Sequence, residues 1–129
     1  MNQHTKVLVQ GITGRHGSFH ATEMQGYGTK IVGGVNPFKR NTVHNFLPVF
    51  GTVAEGMRYT GAEATIIFVP PPFACDAIIE AVEAEMPLVI CITEGIPFRD
   101  MIRANAALSR QNKTKLLGPN CAGIIRPKD

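Results

Sequence analysis

The sequence predicts a doubly wound α/β domain, in which helices cover both faces of a mostly parallel sheet. Short apolar runs recur along the chain, segments of helical periodicity separate them, and glycine- or proline-containing turns follow them. Strands that alternate with helices at this interval favour right-handed crossovers between parallel strands. The chain has 129 residues, a length typical of one domain, and we therefore predict a single domain over residues 1–129.

Four strands are predicted in the first half of the chain. The third contains Pro48, which cannot donate to a ladder and therefore indicates an edge position. The fourth is the most hydrophobic, so we expect it inside the sheet, and we expect an exposed loop between the second and the third. A helix is expected after the first strand and a short helix over 53–59. The four runs are Lys6–Gln10, Ile31–Val35, Leu47–Phe50 and Ala64–Val69.

Helical periodicity is clearest in the second half of the chain. After three prolines at 70–72, apolar residues recur with the i, i+3, i+4 spacing of an amphipathic helix. Proline suits the first position of a helix, which favours a helix start at Pro97. The remaining predicted elements are a strand over 87–91, a helix from Pro97 to about Gln111 and a strand over 115–117.

Composition argues against several classes of protein. No apolar run approaches the roughly 20 residues of a membrane-spanning helix, and the first residues carry no targeting signal, so we expect a cytoplasmic protein with no membrane contact. The net charge of +3 is not gathered into a basic stripe, which argues against nucleic acid and favours a small polyanionic ligand. The three cysteines form no CxxC pair, so we expect reduced thiols and neither a zinc site nor a disulfide framework.

The turn after the first strand has the composition of a phosphate site. Ligands of doubly wound sheets bind beyond the carboxyl ends of the strands. Gly11–Gly17 contains three glycines and is expected to open a helix, where bare amides and the helix dipole can hold a phosphate. Its GxxGxxG spacing differs from the GxGxxG of Rossmann dinucleotide folds, and glycines that only permit a tight turn are the alternative.

The end of the second strand bears on the identity of the ligand. A fold that binds NAD usually places Asp or Glu there for the ribose hydroxyls. Here the strand is followed by Asn36, Pro37 and Phe38 and then by two cations, Lys39 and Arg40. This pattern disfavours NAD and suits a nucleotide with an additional ribose phosphate, such as NADP or coenzyme A. Two solvated loop charges are the alternative interpretation.

Two later turns contribute to the predicted site. Val69–Phe73 has few backbone donors because of its prolines, and we expect it to form an apolar wall beside the ligand. Ile92–Gly95 offers a hydroxyl and a carboxylate for polar contacts, with turn formation alone as the alternative. Cys121 has no histidine near it in sequence, so we expect a packed thiol there and not a nucleophile.

Motifs along almost the whole chain resemble those of one family. They stand at Gly11–Gly14, Tyr27–Lys30, Val32–Gly34, Leu47–Phe50, Val69–Phe73, Ile92–Pro97 and Gly118–Cys121. In this combination and order the sequence resembles the amino-terminal, coenzyme A-binding domain of the α subunit of succinyl-CoA synthetases, also called succinate–CoA ligases. The fold implied is a Rossmann-like, doubly wound parallel sheet.

The resemblance also implies a set of residues that contact coenzyme A. The phosphates are expected near the glycine turn, and the charged nucleotide end near Lys39. Arg15, His16, Phe38 and Ala122 depart from the residues more common in the family, which leaves the role of His16 open. The implied binding residues are Thr13, Gly14, Arg15, His16, Lys39, Val69, Pro70, Ile92, Thr93 and Glu94.

The resemblance implies a reaction that this chain cannot complete alone. In the family a nucleoside triphosphate phosphorylates a histidine, the phosphate passes to succinate, and coenzyme A attacks the succinyl phosphate. That histidine belongs to a second domain outside this chain, and a β subunit holds the ATP or GTP with Mg²⁺. None of the four histidines matches it, so we assign no catalytic residue and expect binding of coenzyme A without turnover.

Two alternatives stay open from the sequence. The first is the corresponding domain of another acid–CoA ligase, one that acts on malate or citrate, because the acid-binding residues would lie mostly outside this segment. The second is a stand-alone regulatory module that binds coenzyme A or NADP. The oligomeric state and the choice between ATP and GTP are not encoded in the motifs above.

Overall fold

A computed structural model describes residues 4–11, 30–37, 42–44 and 47–118 of the chain. In chain order the strands are β1 (Lys6–Gln10), β2 (Lys30–Val35), β3 (Thr42–His44), β4 (Leu47–Phe50), β5 (Ala64–Ile67), β6 (Leu88–Cys91) and β7 (Lys115–Leu117). The helices within these ranges are α1 (Val53–Thr60), α2 (Pro71–Glu83) and α3 (Phe98–Ser109).

The strands form one sheet in the order β3-β4-β2-β1-β5-β6-β7. All of its pairings are parallel except that between β3 and β4. The chain therefore builds the sheet outward from β1, first through β2 to β4 and then, in the opposite direction, through β5 to β7. This order confirms the predicted doubly wound α/β class, and the interior position of β5 confirms the expectation drawn from its hydrophobicity.

Side chains of alternating strand residues face the two sides of the sheet. On one side Leu8, Val35 and Ile67 pack in a single core with residues of α1, α2 and α3. On the other side Val7 and Ile66 are also buried. Burial on both faces explains why the strands read as continuous apolar runs and not as an alternating pattern. None of the helices in the described ranges is long and apolar enough to cross a membrane.

The edge of the sheet near β4 differs from the prediction. Part of the expected loop forms the short strand β3, which pairs antiparallel with β4 and so occupies the edge that Pro48 had suggested for β4. Three residues around an exposed Val43 carry no recognisable periodicity, which is why the sequence did not reveal β3. The pairing of β4 with β2 begins only at Val49, after the proline, so Pro48 is tolerated within an interior strand.

The elements of the second half agree closely with their prediction. The apolar residues of α2 that carry the helical spacing are buried, among them Ala74 and Ile78. Three boundaries shift. β6 begins at Leu88 and not at Pro87, Pro97 is the N-cap of α3 and not its first residue, and the helix ends at Ser109, short of the predicted Gln111. The expected helix after β1 lies outside the described residues.

Candidate functional site

The chain order of the sheet reverses between β1 and β5. In doubly wound sheets the two connections leave such a pair of strands on opposite sides, and ligands bind in the crevice beyond their carboxyl ends. In this chain the residues at that place are Gly11, directly after β1, and Phe68 and Val69, directly after β5. The topology alone therefore directs attention to these residues.

Gly11 lies against the backbone of the β5–α2 connection. A Cβ atom at this position would come within 3.1 Å of the carbonyl carbon of Phe68 and within 3.2 Å of the amide nitrogen of Val69. The φ angle of Gly11 is +91°, which side-chain-bearing residues rarely adopt. Two separate constraints therefore favour glycine here, and the first of them places the start of the glycine turn in contact with the turn after β5.

Hydrogen bonds tie the ends of neighbouring strands together around Gly11. The amide of Gly11 donates to the carbonyl of Val35 at 3.3 Å, and the amide of Phe68 donates to the carbonyl of Gln10 at 2.9 Å. On the side of β6, the amide of Ile92 donates to the carbonyl of Ile67 at 3.1 Å. The carboxyl edge of the sheet is thus a connected backbone frame from β2 to β6.

A buried polar pair, Gln10 and Thr65, connects the end of β1 with β5 and α2. The Gln10 side chain is 2% exposed, and its Nε2 donates to the carbonyl of Ala77 in α2 at 3.2 Å. Its Oε1 accepts a hydrogen bond of 2.9 Å from Oγ1 of Thr65, a residue that is fully buried in β5. Gln10, the last residue of β1, is therefore bonded both to β5 and to the middle of α2. Sequence reasoning missed both residues, although a single amide at the end of an apolar strand was a visible signal.

The first turn of α2 offers few hydrogen-bond donors. Pro70 is its N-cap and makes no side-chain cap, Pro71 and Pro72 follow, and the amide of Phe73 donates to the carbonyl of Pro70 at 2.9 Å. Proline has no N–H, so this helix terminus lacks the amides that bind phosphate elsewhere. Phe73 itself is exposed. The turn after β5 thus has the few backbone donors that its prolines predict, and its role as an apolar wall beside a ligand stays a prediction.

Thr93 links the turn after β6 to the turn after β5. Its Oγ1 donates to the carbonyl oxygen of Val69 at 2.6 Å. Burial raises the pKa of the Cys91 thiol, and hydrogen bonding with the backbone and side chain of Thr93 opposes part of that rise. Burial likewise raises the pKa of Cys75. Cys75 and Cys91 are free and buried, and both thiols are protonated at neutral pH. Cys121, for which the sequence predicts a packed thiol, lies outside the described residues.

The N-terminus of α1 is occupied by carboxylates of the chain itself. Glu80 accepts a hydrogen bond of 2.7 Å from the amide of Val53, and Glu55 accepts one of 3.0 Å from the amide of Gly51. Thr52 accepts from the amide of Glu55 at 3.1 Å, which completes a cap at this end. Negative charge is already present where an anionic ligand would compete for these donors. The spacing of Thr52 and Glu55 is a capping signal that sequence reasoning overlooked.

The structure brings five of the ten predicted binding residues to one edge of the sheet. Val69 and Pro70 follow β5, and Ile92, Thr93 and Glu94 follow β6, with Ile92 and Glu94 exposed. The other five, Thr13, Gly14, Arg15, His16 and Lys39, lie outside the described residues. Within the ranges that the structure describes, no group of three or more His, Cys, Asp or Glu side chains could hold a metal ion.

Comparison with known families agrees with this geometry. A family model described as the CoA binding domain matches residues 2–95, which includes both Gly11 and the turn after β6. The chain belongs to the CoA-binding domain family. The resemblance noted from the motifs is confirmed by curated relatives that bear the name of the succinate–CoA ligase α subunit.

Two relatives and one solved structure illustrate the similarity. The ADP-forming succinate–CoA ligase α subunit of Aquifex aeolicus is 52% identical over 128 residues, covering 98% of this chain and 42% of the relative. The malate–CoA ligase α subunit of Methylorubrum extorquens is 52% identical over 130 residues, covering 98% and 44%. This chain thus spans less than half the length of these relatives.

Among solved structures, a dinucleotide-forming acetyl-coenzyme A synthetase of Candidatus Korarchaeum cryptofilum, in complex with phosphate and ADP, superposes with a TM-score of 0.74. The match covers 93% of this chain and 26% of that chain at 19% identity. At this identity the match establishes a shared fold only.

Proposed function

We propose that this chain binds coenzyme A at the carboxyl edge of its sheet and serves as the CoA-binding domain of an acid–CoA ligase. The observation that carries the proposal is the packing of Gly11, at φ +91°, against the Phe68–Val69 peptide where the strand order reverses. This contact opens the glycine turn next to the proline wall, in the arrangement by which doubly wound sheets receive nucleotides.

The two sides of this edge differ in the groups that they offer a ligand. The proline run after β5 has lost its amide donors, and Glu94 after β6 contributes a carboxylate. Neither favours a phosphate, whereas both suit the apolar and amide-bearing pantetheine arm. We therefore assign the ribose phosphate to Lys39 and the other phosphates to the glycine turn. The proposed contacts in that turn are Thr13, Gly14, Arg15 and His16.

The relatives support proposals for the acid and the partners of the complete enzyme. Succinate is our proposed substrate, since relatives that are 52% and 50% identical to this chain are named succinate–CoA ligase α subunits. Malate is the second candidate, because the malate–CoA ligase α subunit is equally similar at 52%. We further propose a β subunit that holds Mg²⁺ and ATP or GTP, and a phosphohistidine in a second domain. The expected cytoplasmic location stays a prediction.

A comparison of ligands tests the proposal directly. Coenzyme A at about 100 times its Kd should stabilise the folded chain by about 2.7 kcal/mol, which is visible as a rise in Tm. NAD at the same concentration should give a clearly smaller rise, because Asn36 and Pro37 supply no carboxylate for its ribose hydroxyls. Equal shifts, or a larger shift with NAD, would contradict the proposal, and titration calorimetry would supply the two Kd values.

Lys39→Ala tests the proposed recognition of the ribose phosphate. The variant should bind coenzyme A about tenfold more weakly, equivalent to about 1.4 kcal/mol, and dephospho-coenzyme A as tightly as the parent chain does. The matched control is Lys30→Ala, which removes an exposed lysine at the opposite, amino end of β2 and should change neither affinity. If Lys39→Ala weakens both ligands alike, Lys39 has a different role.

A further inference from the structure

The Thr93 side chain continues the pairing of β5 and β6 beyond the point where their backbones separate. The last backbone hydrogen bond between them runs from the amide of Ile92 to the carbonyl of Ile67, at 3.1 Å. Beyond this bond, the segment after β5 leads into α2 and the segment after β6 leads into α3. The next link is made by a side chain, as Oγ1 of Thr93 donates to the carbonyl of Val69.

The Val69 carbonyl is well placed to fix the position of a whole wall. Val69 directly precedes Pro70, and the proline ring restricts the backbone of Val69 to extended conformations. The following prolines have fixed φ angles, so the segment from Val69 into the first turn of α2 has few internal degrees of freedom. A restraint at its first carbonyl is therefore transmitted along the run.

The hydrogen bond itself is short and sheltered. Its O···O distance of 2.6 Å lies at the short end of the range for hydroxyl donors. Val69 and Thr93 are both half-buried, so water competes less for these groups than at an exposed site. A hydroxyl has one proton, and here that proton is committed to Val69, so the hydroxyl cannot donate to a ligand as well.

We infer that Thr93 is a positioning residue for the coenzyme A site, which holds the walls after β5 and β6 at a fixed separation through Val69. This inference rests on the proposed function and refines it, since the motifs alone suggest Thr93 only as a ligand contact. Binding energy is lost when a ligand must first order the groups that receive it, so release of this link lowers affinity for coenzyme A.

The test compares three chains: the parent, Thr93→Val and Thr93→Ser. Valine keeps the shape and removes the hydroxyl, whereas serine restores the donor. Thr93→Val should bind coenzyme A about fivefold to tenfold more weakly by calorimetry, in line with the loss of one sheltered hydrogen bond, and Thr93→Ser should stay within about twofold of the parent.

Hydrogen exchange in the ligand-free chain separates positioning from direct contact. The Phe73 amide, which donates to the Pro70 carbonyl, reports on the order of the wall after β5. It should exchange at least about threefold faster in Thr93→Val than in the parent or in Thr93→Ser. A residue that only touched the ligand would leave this exchange unchanged, and a residue that only stabilised the fold would leave the affinity unchanged at temperatures far below Tm.

The outcomes are distinguishable from those of the proposed function. If the parent binds coenzyme A and Thr93→Val binds equally well, the inference is wrong while the proposed function stands. If Thr93→Val binds weakly but Phe73 exchanges at the parent rate, Thr93 is a ligand contact and the positioning role is overturned. A parent chain that does not bind at all overturns both. Should the valine variant fail to fold, Thr93→Ala removes the same hydroxyl without adding a methyl group.

Discussion

Gly11→Ala should destabilise the chain by about 2–4 kcal/mol and weaken coenzyme A binding at least about tenfold. The new Cβ would lie 3.1 Å from the carbonyl carbon of Phe68. Because that neighbour is a backbone atom, the contact can be relieved only if the end of β5 or the glycine turn moves. The φ angle of +91° adds a strain of about 1–2 kcal/mol for any residue with a Cβ. Because Gly11 begins the proposed phosphate turn, either form of relief displaces that turn from the wall after β5.

Gly61→Ala is the control that separates these two causes. Gly61 caps the end of α1 at φ +74°, but a Cβ there would meet only the Nζ atom of Lys6, at 3.7 Å. The variant should therefore lose about 1 kcal/mol from backbone strain alone and bind coenzyme A normally. Chemical denaturation and calorimetry on both variants provide the measurement. Similar affinities for the two variants would show that the close approach at Gly11 does not shape the site.

The fold could be predicted because its signals are local and repeated. Each parallel strand is a short apolar run, and α2 shows its buried stripe in the spacing of residues such as Ala74 and Ile78. Edge elements lack such signals: β3 has three residues, too few to show a period, and an exposed Val43 gives it no buried face, although only two residues separate it from its partner β4. Pro48 predicts an edge position that β4 does not have, because only the three-dimensional register shows that the ladder with β2 begins after the proline, at Val49.

The candidate site was predictable in its location but not in its internal contacts. The turns after β5 and β6 could be named because topology places every strand end on one edge. The bond from Thr93 to Val69 joins residues 24 positions apart, and that from Thr65 to Gln10 joins residues 55 apart. A sequence shows which side chains can donate or accept, and it does not show which distant groups they meet. The sequence therefore predicts Thr93 only as a ligand contact and assigns no role to Gln10.

Gln10→Met should destabilise the chain by about 1–3 kcal/mol. Methionine fills a similar volume but cannot accept from the Thr65 hydroxyl, which is fully buried and would lose the partner it now has at 2.9 Å. An unsatisfied buried donor carries a desolvation cost of this size. The Ala77 carbonyl would also lose the bond by which Gln10 holds α2 against the end of β1. Unfolding in urea, followed by circular dichroism, measures the loss.

The double variant Gln10→Met/Thr65→Val separates an unsatisfied polar group from a packing defect. Thr65→Val alone should also destabilise the chain, because it removes the donor to the Gln10 Oε1 atom inside the core. With both polar groups replaced, no buried donor or acceptor of the pair remains, so the double variant should be more stable than the sum of the single losses predicts, by at least about 1 kcal/mol. Additive losses would mean that the pair acts through shape alone. Since Gln10 directly precedes Gly11, weaker coenzyme A binding in Gln10→Met than in the double variant would tie this buried pair to the geometry of the phosphate turn.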